Sequence, residues 1–213
     1  MKSAIAIAAV LLTACASNDR AARAPSPLSM NARDWSIRYS LGLPSRPAQG
    51  GTGIYVDLKK DTSEIHMLTL RRTSSIPATS LVITGTIEVS SPDVWFDHVT
   101  ERSPNPNGLP SSMRLYLERD MYGSEYNRWF SNPLCVVMKP GPFTLTVPLS
   151  SELWSSVYGK FGNYSDASRA GFQKVLSGPQ AIGLVFGGGD FFGKGVRVRN
   201  GTARLSLSSF TIK

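Results

Sequence analysis

The segment MRLYLERD carries two carboxylates, Glu118 and Asp120, with one residue between them. On a strand such a pair shares a face at two rises, about 7 Å, which overlaps the spacing at which inverting glycosidases hold their acid and base. Any E-x-D on a strand has this spacing, so a glycosidase-like hydrolase using Glu118 and Asp120 is the alternative reading and not the first. The chain has no G-x-S-x-G, no S-x-x-K and no Cys-His pair with a local signature. A non-enzymatic protein is expected, with no catalytic residue assigned.

Sugar recognition has more support. Residues 118–132, ERDMYGSEYNRWFSN, hold Tyr122, Tyr126, Trp129 and Phe130 among Arg128 and other polar side chains. Aromatic faces pack on the C–H side of a sugar ring, and planar polar groups bond its hydroxyls. A second such stretch, DVWFDH, offers Trp95. The expected ligand-binding residues are therefore Trp129, Tyr126, Arg128, Tyr122 and Trp95.

A third candidate is FGGGDFFGKG, residues 186–195, one residue short of a phosphate-binding loop because Gly195 stands where Ser or Thr would hold magnesium. Such a loop needs a following helix whose N-terminal amides face the phosphates. The next residues, VRVRNGTARLSL, alternate like strands, so the glycine run is expected to join two strands, with Phe191 or Phe192 closing the end of the core. No nucleotide partner is expected. Asn200-Gly201 is a strong two-residue hairpin signal, and a hairpin there sets Arg197 opposite Arg204. Arg197, Arg199 and Arg204 would then share an outer face, and such like-charge opposition calls for something negative between them. They form the expected anionic patch, for envelope material and not for nucleic acid. His66 and His98 are too few for a His-rich metal site, and neither stands in H-E-x-x-H, so no metal or other cofactor is expected.

The elements that must position these residues have a period of two. GIYVDLK, MRLYLER and FTLTVPL each alternate apolar with polar, and LVITGTIEV does so with an expected bulge or bend at Gly85. WSIRYSL, EIHMLTL, CVVM, AIGLVF, VRVR and ARLSLSSFTI bring the count to about ten strands. Turn signals between them predict an all-β, antiparallel, jelly-roll-like β-sandwich. Two short helices are expected, one over SELWSSVY and one capped by Asp166 with Phe172, Val175 and Leu176 inward. Cys135, in the run LCVVM, reads as a small buried hydrophobe.

The N-terminus is of another kind. One positive charge at Lys2 precedes an apolar run too short to span a bilayer, and LTAC follows at residues 12–15. LTAC resembles the lipobox of bacterial lipoproteins. The resemblance implies that residues 1–14 are a signal peptide and that Cys15 is cut free and triacylated, its covalent lipid being the one prosthetic group. It also implies that the membrane is a partner through this anchor. Ala16 after the cysteine implies delivery to the outer membrane on its periplasmic side. Residues 15–33, polar and proline-broken, read as a flexible tether, and residues 34–213 as one domain.

The chain carries 23 Lys+Arg against 15 Asp+Glu. Seven basic residues and one acid fall in residues 168–213, so an anionic partner would meet the C-terminal third. Residues 140–213, with FTLTVPLSSELW, VYGKFG, IGLVFGGGDFFGKGV and ARLSLSSFTI in that order, look like the C-terminal half of uncharacterised bacterial lipoproteins. Those domains resemble galactose-binding-domain-like jelly rolls. The expectation is a lipid-anchored binding or structural module whose ligand is an envelope glycan or another anionic surface component.

Overall fold

A computed structural model describes residues 25–72, 74–98, 110–120, 125–188 and 195–213. The lipobox, Tyr122, Phe191, Phe192 and Lys194 lie outside the described residues. In chain order the strands are β1 (Ser26–Pro27), β2 (Trp35–Arg38), β3 (Ala48–Gln49), β4 (Ile54–Leu58), β5 (Glu64–Ile65), β6 (Met67–Arg71), β7 (Ser80–Val89) and β8 (Trp95–His98). There follow β9 (Ser112–Glu118), β10 (Arg128–Phe130), β11 (Val136–Val137), β12 (Gly141–Pro148), β13 (Ser155–Ser156), β14 (Ala181–Gly187), β15 (Val196–Arg199) and β16 (Ala203–Ile212), with the helix α1 (Asp166–Ser177) between β13 and β14.

Every pairing is antiparallel. One sheet runs β12-β7-β16-β4-β3 with β1 added beside β16, and the other runs β13-β10-β9-β14-β6-β2 with β11 beside β9. A three-stranded sheet, β5-β15-β8, completes the set. The two large sheets pack face to face without closing into a barrel, as the sandwich expectation requires. Their inner faces follow from alternation: Ile54, Val56 and Leu58 from β4 and Met113, Leu115 and Leu117 from β9 are buried in one cluster with Trp35, Ile83 and Phe210. The outer face of β9 is buried too. Arg114 and Tyr116 have no exposure there, and Tyr116 packs with Met67, Phe130, Ala181 and Val185 in a second, smaller cluster.

Register fixes two ends. Val147, Leu81, Ile212 and Ser26 form one row across the first sheet, and Ser156, Trp129, Leu117, Ile182, Leu70 and Trp35 form one across the second. Trp35 meets Phe210 at 6.2 Å, so both rows stand at the same end, where the chain enters. The other end holds Val89, Ala203 and Leu58. Ten residues of β7 separate the two ends, about 30 Å at strand rise.

Several expectations are corrected. Folded structure starts before residue 34: Ser26 and Pro27 pair with β16, and Leu28 is buried, because the edge of β16 offers open hydrogen-bonding groups. SELWSSVY forms only a 3₁₀ turn at Ser151–Leu153, after which Ser155 and Ser156 add a strand to β10. The second helix forms as expected, but Ser165 caps it, its side chain accepting from the Ser168 N–H. Cys135 is exposed. Its run is an edge strand on which Cys135 and Val137 alternate toward solvent while Met138 turns inward. At Gly85 the strand itself is continuous, and the register shifts on its partner between Leu207 and Ser209. Glycine is required there because a Cβ would stand 2.2 Å from the Ser206 carbonyl oxygen and 2.7 Å from the Phe143 ring.

Candidate functional site

The Asn200-Gly201 turn forms, with Asn200 at φ 63°, but its two strands part. β15 pairs with β5 and β8, whereas β16 pairs with β4 and β7. The expected hairpin is absent because burial of the apolar faces chose other partners for each strand. Arg197 and Arg204 therefore never oppose one another, and each arginine faces carboxylates instead. Nε and Nη2 of Arg197 donate to Glu64 Oε2 at 3.1 and 3.0 Å. Arg199 donates to Asp97 Oδ2 at 3.3 and 3.0 Å and to Asp61 Oδ1 at 2.7 Å. Arg204 grips Asp57 through two parallel bonds of 2.7 and 2.9 Å and lies 4.1 Å above the Tyr55 ring. Asp61, then Asp97, hold the Arg199 guanidinium further above its ordinary pKa, and Asp57 does the same for Arg204. The anion-binding patch expected from sequence is a charge-paired surface.

Trp95 joins this surface. It is the Cα partner of Arg199, so the two side chains share the same face of the small sheet. The ring is 49 % exposed, whereas Trp35, Trp129 and Trp154 are buried. At the same end a groove of about 410 Å³ is lined by Asp57, Lys59, Glu88, Ser90, Thr202 and Arg204 among others. Trp95 and the arginine set Arg197, Arg199 and Arg204, two separate candidates in the sequence, thus lie at the same end, remote from chain entry. Their acidic partners carry a weak sequence signal: each stands at an outward position of a strand or at a strand-flanking turn.

The aromatic segment is a different matter. Trp129 has no exposure, donates its indole N–H to the Tyr126 carbonyl at 2.8 Å, and meets Phe172 of α1 edge-on at 5.3 Å. Tyr126 stacks on it at 6.0 Å. These rings pin α1 to the sandwich, and Trp129 has no face to offer a sugar. Arg128 donates to Glu118 Oε2 at 2.7 Å, and Arg38 donates to Oε1 at 3.0 Å. Both oxygens of the buried Glu118 are so engaged, and Asp120 lies beyond the end of β9 in an exposed turn, not on the same strand face. The acid-base pair expected from E-x-D does not assemble. Close by, burial pushes the Tyr116 phenol far above its usual range, and its hydroxyl hydrogen-bonds Thr69 at 2.5 Å.

Among the described residues no three His, Cys, Asp or Glu side chains converge as metal ligands. The glycine run leads into the strand β15 at Val196 and not into a helix N-terminus. Sequence pattern does not single out Tyr158, Phe161 and Tyr164, which are 72, 38 and 70 % exposed. Their signal is a ring every third residue among Gly, Lys and Asn, a period that suits neither a strand nor a helix face. No protein-family model and no curated protein matches the chain.

Proposed function

We propose that the protein is a lipid-anchored, non-catalytic binding module of the bacterial cell envelope whose ligand is an uncharged stretch of envelope glycan, held at the end that carries Trp95. The observation that carries this reading is the exposed Trp95 ring set opposite Arg199, whose guanidinium Asp97 and Asp61 hold in place. A free aromatic face beside fixed planar donors and acceptors suits a pyranose. Among the described residues at this end the acids Asp57, Asp61, Glu64, Glu88, Asp93 and Asp97 balance Arg197, Arg199, Arg204, Lys59 and Lys60, which favours a neutral ligand over an anionic one. The LTAC sequence supports attachment at Cys15, and the likeness to galactose-binding jelly rolls supports glycan binding by analogy alone.

The test is a glycan array followed by titration of the best ligand. Trp95→Ala is expected to remove about 1–3 kcal/mol of binding, by analogy with aromatic stacking on nucleobases, with affinity nearly independent of salt. Binding that survives Trp95→Ala and falls steeply with salt would assign the site to an anion and sink the proposal.

A further inference from the structure

Among the described residues seven large apolar or aromatic side chains are exposed, and three of them, Tyr158, Phe161 and Tyr164, fall in one seven-residue stretch. The stretch is tied down. Ser156 N–H bonds the Lys160 carbonyl at 2.8 Å, Gly159 N–H the Ser156 carbonyl at 2.9 Å, and Gly162 N–H the carbonyls of Ser151 and Trp154, both at 2.9 Å. Gly159 sits at φ 77°, and a Cβ on Gly162 would meet Ser151 at 2.8 Å. The backbone thus fixes the stretch with Tyr158 and Tyr164 largely exposed and Phe161 partly so. Rings kept exposed in this way mark a contact surface.

Its place in the fold names the contact. β13 runs toward the chain-entry end, because Ser155 pairs with Phe130 and Ser156 with Trp129, in the row that ends at Trp35. The loop after Ser156 therefore stands at the end where Ser26 joins the sheet. Eleven residues, Cys15 to Pro25, lie between the proposed lipid attachment and Ser26, so on that reading this is the end nearest the anchor. Arg71, Arg72, Arg119, Lys174 and Lys213 lie at the same end with the acids Asp34, Glu152 and Asp166, and Lys160, ion-paired with Glu125 at 3.0 Å, stands 6.0 Å from the rings of Tyr126 and Tyr164. Tyrosine rings amid lysine and arginine are the composition of a protein surface at the lipid headgroups.

We propose that this end rests on the bilayer, with Tyr158, Phe161 and Tyr164 set into the headgroup layer. The inference rests on the lipid-anchored reading and adds an orientation to it. It is tested on the full lipidated chain in vesicles of phosphatidylethanolamine and phosphatidylglycerol, with Tyr158→Trp as a probe in a Trp95→Phe background whose other indoles are buried. Emission of the new indole should shift to the blue and be quenched by brominated lipid. A protein that floats with the vesicles while this indole stays hydrated and unquenched overturns the orientation and leaves the anchor standing. A protein that fails to float overturns both. A blue shift produced by envelope glycan fragments, with brominated lipid inert, assigns the loop to a sugar and overturns the orientation.

Discussion

At the scale of single residues, Asp97 and Asp57 both hold an arginine, and their surroundings decide what each bond contributes. The Asp57–Arg204 pair is about half exposed on both sides, at 51 and 45 %, so water competes with it and salt screens it. The Asp97 side chain is 7 % exposed and accepts twice from Arg199, itself 26 % exposed. An amide in place of this buried carboxylate keeps one acceptor oxygen but loses the charge that strengthens its bonds and adds a buried NH2 group facing the guanidinium, which costs more than an exposed pair can. Asp57→Asn is expected to leave the denaturant midpoint unchanged within error. Asp97→Asn is expected to lower stability by about 1–2 kcal/mol, a value reduced for the solvent that Arg199 still meets. Equal effects in the two variants, at constant m value, would show that burial at Asp97 does not govern the pair. The same contrast explains what sequence could convey about the site. Arg197, Arg199 and Arg204 are visible as an outward-facing set because strands alternate, but their partners lie 102 to 147 residues away along the chain, from Arg199 to Asp97 and from Arg204 to Asp57 at the extremes, and no local pattern encodes that.

At the scale of elements, α1 is attached by one face only. Phe172 and Val175 are buried, and the Phe172 ring touches both Trp129 and Trp154. Phe172→Ala opens a cavity between two tryptophans that cannot collapse without moving the helix. A loss of about 3–5 kcal/mol is expected, measured by equilibrium unfolding, whereas Gln173→Ala on the exposed side should lie within about 0.5 kcal/mol of the parent. Comparable losses would mean that the helix is not held by its inner face. Strands with strict alternation, such as β4 and β12, and the helix with its apolar face are legible in sequence because one local period decides each of them. The Asn200-Gly201 connection is legible only as a turn: local chemistry fixes the reversal, while burial of Val196 and Val198 with the small sheet chooses the pairing. Cys135 is misread for a related reason, since an apolar run on a two-residue edge strand still alternates between core and solvent.

At the scale of the whole molecule, the two exposed aromatic surfaces stand at opposite ends of a sandwich about 30 Å long, measured along β7. If the loop carrying Tyr158 meets the headgroups, Trp95 must project away from them into the aqueous phase, where the proposed glycan would be reached. The native tryptophans make this measurable, because Trp35, Trp129 and Trp154 are at most 1 % exposed and Trp95 alone is open to an aqueous quencher. On vesicles carrying the lipidated protein, iodide should quench the Trp95 emission to the same degree as in detergent solution, and brominated lipid should not quench it. The difference between the parent and Trp95→Phe isolates this signal from the buried indoles. Loss of iodide access on vesicles, or quenching of Trp95 by brominated lipid, would place the Trp95 end on the membrane and reverse the orientation. Retained access, together with a membrane-shielded indole at Tyr158→Trp, requires a domain that stands upright on the bilayer with Trp95 in the aqueous phase, as the proposed anchor and glycan site demand.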